Sequence, residues 1–117
     1  MTDIEAELAA KLSSVATVYP LSLPEKPKLP AIVYQRISSP VVNRTHNGSK
    51  IMRPRFQLSI YDKTYDTCRT KAASIDTVLD GKSGVVGNLA TNENRFDVKE
   101  IETGLFRIVL EYFIWYT

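Results

Sequence analysis

An α+β fold, with a mainly antiparallel sheet and two helices on one of its faces, is the class this sequence predicts. Three observations predict it. Apolar residues recur at helical spacing in two stretches, one at the N-terminus and one around 65–80. The stretches 31–38, 55–61 and 94–116 carry the β-branched, aromatic or alternating residues of strands. Short turns rich in Asn and Gly lie between strand candidates, as antiparallel hairpins require. The expected element order is α-β-β-α-(β)-β-β, with a projecting β-hairpin arm, in one domain spanning 1–117.

The first helix is expected over residues 3–16. Thr2 and Glu5 form a T-x-x-E capping box, in which each side chain satisfies a backbone N–H at the helix start. Asp3, Glu5 and Glu7 suit the positive end of the helix dipole. Ile4, Leu8, Leu12 and Val15 fall on one stripe. Pro20, Pro24, Pro27 and Pro30 follow. Proline lacks the N–H of a ladder and fixes its own φ, so 20–30 reads as a stiff extended connector.

Strands are expected at 31–38 and 55–61. In the second, Phe56, Leu58 and Ile60 point one way while Arg55, Gln57 and Ser59 point the other. Asn47-Gly48 between them is a strong hairpin signal, because both positions tolerate positive φ. Counting outward from that turn sets Pro40 opposite Arg55 and Val41 opposite Pro54. Two prolines at nearly one level interrupt a ladder. The pattern therefore predicts a core hairpin below them and a mobile arm, residues 41–53, above. That arm carries Arg44, His46, Lys50 and Arg53.

The second helix is expected at 65–80, with Tyr65, Cys68, Ala72, Ile75 and Leu79 on its buried stripe, Thr64 as N-cap and Gly81 as its stop. Residues 82–92 read as a loop with a short strand at Val85-Val86. A final hairpin, 94–101 and 105–116, turns about Thr103-Gly104 and sets Glu100 opposite Arg107. In its last strand Phe106, Ile108, Leu110, Tyr112, Ile114 and Tyr116 line one face. Leu105, Val109, Phe113 and Trp115 lie on the other, with Arg107 and Glu111 between them. Helices on one side call for only one apolar face. Phe113 and Trp115 are accordingly expected at an interface; the competing reading has the N-terminal helix or the proline connector fold over them.

Charge is unevenly spread. Residues 26–71 hold ten Lys/Arg against two Asp/Glu, a net of +8. Residues 1–25 hold one Lys and four acids, and residues 72–117 four Lys/Arg and seven acids, a net of −3 each. A basic middle between acidic flanks suits a nucleic-acid surface. It equally suits a face that docks on the opposite face of an identical neighbour. The acidic start does not resemble a secretory signal, and no stretch approaches the ~18 apolar residues of a membrane helix.

Catalytic constellations do not emerge from the sequence. Gly81-Lys82-Ser83 mimics the end of a phosphate-binding loop, but the glycine required five residues earlier is Asp76, and the tripeptide closes a helix instead of opening one. His46 is the single histidine and Cys68 the single cysteine, too few for a typical zinc site. Cys68, on a buried helical stripe, reads as packing material instead of a nucleophile. No cofactor, metal or enzymatic activity is expected.

Three stretches carry a family resemblance. Leu29-Pro30-Ala31-Ile32-Val33-Tyr34-Gln35-Arg36-Ile37-Ser38 is similar to the first-strand signature of tail-completion (tail-terminator) proteins of long-tailed, non-contractile phages. So is Arg55-Phe56-Gln57-Leu58-Ser59-Ile60-Tyr61, followed by Tyr65, Ala72, Ile75 and Leu79. Arg107-Ile108-Val109-Leu110-Glu111-Tyr112-Phe113 resembles the family's closing strand. The resemblance implies a structural protein without catalytic residues or cofactor. It would form a ring, six-membered in this family, that caps the finished tail tube, stops polymerisation and joins tail to head. Its partners would be its own copies, the tail tube protein and the head-completion or connector protein, with DNA passing through unrecognised and no membrane involved. Its place would be the head–tail junction of a virion assembled in the host cytoplasm. Arg44, His46, Lys50, Arg53, Phe113 and Trp115 are the expected assembly residues. A small nucleic-acid-binding module using the basic arm is the alternative, although no aromatics interleave with the cations of 41–53 to make a stacking platform.

Overall fold

The computed structural model describes residues 3–38, 41–44, 50–99 and 104–116, with 41–44 and 50 as backbone. Helix α1 spans Ile4–Leu12 and is capped by Asp3, whose carboxylate accepts from Ala6 N–H at 3.1 Å. The expected Thr2 lies outside the described residues, and the cap is one residue later than the capping-box pattern suggests. The helix also stops four residues early. The hydroxyls of Ser13 and Ser14 donate back to the carbonyls of Ala10 and Lys11 at 2.7 and 2.8 Å, a side-chain alternative to further helix.

The chain then forms a strand that the sequence reading missed. Strand β1, Thr17–Pro20, pairs in parallel with β2, Ala31–Ser38, so that Thr17 faces Ala31 and Pro20 faces Tyr34. Pro20 is tolerated because β1 ends there and is an edge strand. The proline-rich segment 21–30 is the crossover that a parallel pair demands.

Strand β2 pairs antiparallel with β5, Arg55–Asp62, and between them β3, Val41–Arg44, pairs with β4, Lys50–Met52, as a separate two-stranded sheet. The expected register is corrected by two irregularities, one between Arg36 and Ser38 and one between Val41 and Asn43. Arg44 already faces Lys50, one residue off the expected level, and the irregularity between Val41 and Asn43 shifts the count by one more, so Val41 faces Met52 and Ser38 faces Arg55; the irregularity between Arg36 and Ser38 shifts it again toward the core. Each added residue shifts the count that a simple hairpin would keep. Pro40, His46 and the Asn47-Gly48 turn lie outside the described residues.

Helix α2, Tyr65–Leu79, carries the expected Thr64 cap, and Gly81 follows it at φ 70°. The expected strand at Val85-Val86 is absent. Strand β6 is Lys82–Ser83, and Val86 is a buried core residue instead. β7, Leu89–Lys99, and β8, Phe106–Trp115, form the last hairpin, in which Val98 faces Arg107. The expected Glu100–Arg107 pairing is therefore out of register by two; Glu100 is outside the described residues, and the Arg107 guanidinium donates to Ser59 Oγ at 3.1 and 3.2 Å.

The main sheet runs β1-β2-β5-β8-β7-β6, antiparallel except for β1. Even-numbered residues of β2, β5 and β8 face both helices. Ile32, Phe56, Leu58, Ile60, Ile108, Leu110, Tyr112 and Ile114 are buried with Ile4, Leu8 and Leu12 of α1 and Cys68, Ala72, Ile75 and Leu79 of α2. Each large aliphatic or aromatic side chain so buried contributes roughly 1.5–3 kcal/mol. The Tyr112 hydroxyl, deep in this core, donates to Asp76 of α2. Asn92 of β7 donates to the same carboxylate at 2.8 Å. One acidic side chain thus ties α2 to two strands, and odd-numbered residues are left for the opposite face.

Candidate interaction surface

The odd-numbered face has a cationic and aromatic end. The β5–β8 ladder sets Arg55 opposite Phe113, and it continues past the start of β5. Ile114 N–H donates to the Pro54 carbonyl at 3.1 Å, and Met52 and Tyr116 exchange both backbone bonds at 2.8 and 2.9 Å. Pro54 does not break this ladder, because its carbonyl supplies the bond the ladder needs there. The continued register brings Arg53 level with Trp115.

Both arginines lie over aromatic rings. The Arg53 guanidinium carbon is 4.3 Å from the Phe113 ring centre and 5.9 Å from that of Trp115; Arg55 is 5.0 Å from Phe113. The two rings meet edge-on with centres 6.0 Å apart. Arg55 also pairs with Glu111 at 3.1 Å, and Asn94 donates to the same carboxylate oxygen at 3.2 Å. Arg53 has no carboxylate partner among the described residues, and its Nε is buried there without a hydrogen bond. A planar cation held against two rings presents its remaining donors in a fixed fork, suited to a carboxylate or phosphate oxygen.

Three of the six expected site residues, Arg53, Phe113 and Trp115, are thus brought together. His46 lies outside the described residues; Arg44 and Lys50 are described as backbone of β3 and β4. Phe113 and Trp115 are half-buried on this face, and Phe96 on the same face is exposed. Neither competing cover lies over them. Helix α1 packs on the opposite face, and connector residues Leu23, Pro24, Pro27 and Leu29 share a cleft with Tyr61 and Leu105, beyond the other end of β8. Arg55, Glu111 and Asn94 were not singled out from the sequence. No turn joins β5 to β8, so no count along the sequence sets Arg55 opposite Phe113.

Ionisable groups elsewhere serve the fold. Burial pushes the Cys68 thiol up to about 11, and its sulfur lies 3.5 Å from the Phe106 carbonyl and 3.7 Å from that of Ile60. Burial also raises Tyr112, with its hydrogen bond to Asp76 acting in the same sense. Tyr65 is raised by its hydrogen bond to Asp97. Among the described residues no three His, Cys, Asp or Glu side chains gather to hold a metal, and no helix is long and apolar enough to cross a membrane.

Residues 5–117 match the family described as "Tail completion protein gp17". The chain belongs to this family. This tail completion protein is therefore a structural component of a virion tail, and the family is one of tail structure and not of known enzymes. No curated protein matches the chain. A chain in the solved structure "Virion of native gene transfer agent (GTA) particle" is similar at a TM-score of 0.64 and 15% identity, over 96% of this chain and 90% of that one. At that identity the likeness speaks for the fold: two helices on a mixed, mostly antiparallel six-stranded sheet.

Proposed function

We propose that the protein caps the finished tail tube as a ring of identical subunits, stops polymerisation there, and joins tail to head. Membership of the tail completion family supports the location. The observation that carries the contact is the Arg53 guanidinium, backed by Phe113 and Trp115 and lacking a carboxylate partner among the described residues. Such a group is suited to meet an acidic side chain of a neighbour, and the acidic flanks of the sequence supply candidates on each copy. A ring requires head-to-tail contacts whose rotation closes, which faces of opposite sign favour. Arg44, His46 and Lys50 are further assembly residues on this reading by charge and position in the sequence alone, with the tail tube protein and the head connector as further partners. The ring is six-membered on this reading, and DNA passes through it without specific recognition.

Electron microscopy of purified tail tubes mixed with the protein, with light scattering of the same sample, tests the reading. Wild-type protein should stop tube growth and leave a ring at one end. Arg53→Glu, and Phe113→Ala with Trp115→Ala, should keep their circular dichroism yet cap poorly. Tubes that grow unchecked beside wild-type protein, or a monomer that instead binds DNA tightly and salt-dependently, would overturn it. A double aromatic variant that unfolds would return Phe113 and Trp115 to the subunit's own core.

A further inference from the structure

Strand β7 is covered on one side only. β8 pairs with it from Leu89 to Lys99, but β6 reaches only Leu89 and Ala90. From Glu93 to Lys99 no described strand lies on its other side, and β7 is the long edge of the sheet. The edge is provisionally satisfied by its own side chains: Asn94 Oδ1 accepts from Arg95 N–H at 2.9 Å, and Asn92 Oδ1 from Asn94 N–H at 3.1 Å. Bare strand edges invite another strand, and a run of charges normally discourages one.

The charges here are arranged in a particular way. The sequence Glu93-Asn94-Arg95-Phe96-Asp97-Val98-Lys99 is antisymmetric in charge about Phe96. We propose that this edge pairs with the same edge of a second copy, antiparallel and two-fold, with Phe96 opposite Phe96. In that register Arg95 of each copy faces Asp97 of the other, giving two ion pairs across the axis, and the bulge between Asn92 and Asn94 bounds the paired stretch. Shifting the axis by one residue toward Asp97 sets Asp97 against Asp97 and Arg95 against Lys99. Shifting it toward Arg95 sets Arg95 against Arg95. The two neighbouring symmetric registers are therefore wholly repulsive, and the central one wholly attractive.

The side chains lie where this pairing needs them. Arg95 and Asp97 share the helix-side face, where they form an ion pair at 3.7 Å, and the Tyr65 hydroxyl holds Asp97 in place. Phe96 faces Val109 on the opposite face and is 43% exposed, so each copy presents a free ring to the other. The other edge, β1, is a poorer partner, being four residues long and ending in Pro20. A two-fold pair cannot belong to a cyclic ring whose subunits all face one way. The pairing therefore concerns the free protein, covers the edge before assembly, and is independent of the ring.

Cross-linking and charge exchange test it in the full chain. Directly opposed residues of an antiparallel pair have Cα atoms ~4.5–5.5 Å apart, within disulfide reach. Phe96→Cys in a Cys68→Ala background should oxidise to a covalent dimer. Val98→Cys should not cross-link with itself, but should with Asn94→Cys in a mixture. In sedimentation of the free protein, Arg95→Asp and Asp97→Arg should each weaken dimerisation on the order of tenfold or more. An equimolar mixture of the two should restore it, because each copy then presents the complement of the other. Equal cross-linking at 96 and 98, or a mixture no more associated than its components, would overturn the proposal. Ring formation on tail tubes is read separately, so either reading can fail without the other.

Discussion

Replacing Asp76 is expected to cost far more than the loss of one exposed carboxylate. Asp76 accepts from the fully buried Tyr112 hydroxyl and from the Asn92 side-chain amide. Hydrogen bonds to a charged acceptor are worth about 1.5–3 kcal/mol each, and a buried donor left without a partner costs about 1–3 kcal/mol. Asp76→Ala strands the Tyr112 hydroxyl in the core, and Asn92 can turn toward water. The expected loss is thus about 2–4 kcal/mol. Tyr112→Phe removes the donor and leaves no orphan, because Asp76 keeps Asn92, and should cost about 1–2 kcal/mol. With Phe at 112 the Asp76 substitution no longer strands a hydroxyl, so the double variant should be more stable than the sum of the single losses by about 1–2 kcal/mol. Urea unfolding of the four proteins, followed by circular dichroism, measures the cycle. A cycle that is additive within about 0.5 kcal/mol, or Asp76→Ala within that margin of wild type, would refute the reasoning.

Other perturbations follow from single contacts. Gly87, at φ 60°, would bring an added Cβ to 2.9 Å from the Trp115 carbonyl oxygen and 3.0 Å from Ile114 Cγ2, so Gly87→Ala should lose about 2–4 kcal/mol in denaturant melts. Gly84 at φ 72° has open space around it, so Gly84→Ala should lose only the conformational part, about 1–2 kcal/mol. Cys68→Ala should cost on the order of 1 kcal/mol, and the native thiol should resist labelling at neutral pH. The Cys68 thiol ionises near pH 11 in the fold and near its ordinary value when unfolded, so it contributes fully below about pH 9 and its contribution falls away between about pH 9 and 11. Stability measured across that window should therefore drop less steeply in Cys68→Ala than in wild type. Arg53→Ala should lower the melting temperature by a few degrees, as the loss of about 0.5–2 kcal/mol implies, while emission of Trp115, the single tryptophan, shifts red and becomes easier to quench.

What the sequence made legible was whatever rests on local periodicity. The helical stripes, apart from Val15, which lies past the end of α1, and Tyr65, which is exposed, follow from spacing alone, as do the Thr64 cap, the Gly81 stop and the alternating faces of β5 and β8, and the structure has them. What it hid depends on partners distant along the chain. Thr17–Pro20 has no long apolar pattern and ends in proline; it is a strand because β2 offers it an edge. The registers near Pro40, at Glu100 and in the arm were misjudged because bulges and loop lengths set them, and neither leaves a residue-type signature. Phe113 and Trp115 were legible as the odd face of a strand with two apolar sides. Their arginine cover was not, because it depends on the ladder continuing through Pro54.

That cover bears on which partner the proposed contact surface would accept. Two large aromatics beside each other on a sheet face would form a patch prone to random association. Arg53 and Arg55 lie over them, each contact worth about 0.5–2 kcal/mol depending on how dry it is, and their charged ends remain directed at water or at Glu111. An apolar partner would have to displace these cations and gain little. A partner that brings a carboxylate keeps the stacking, supplies Arg53 with a counter-charge, and dries the rings at the same time. On the proposed reading the arrangement therefore discriminates by charge before it discriminates by shape: an acidic partner surface keeps the stacking, whereas an apolar one has to displace it.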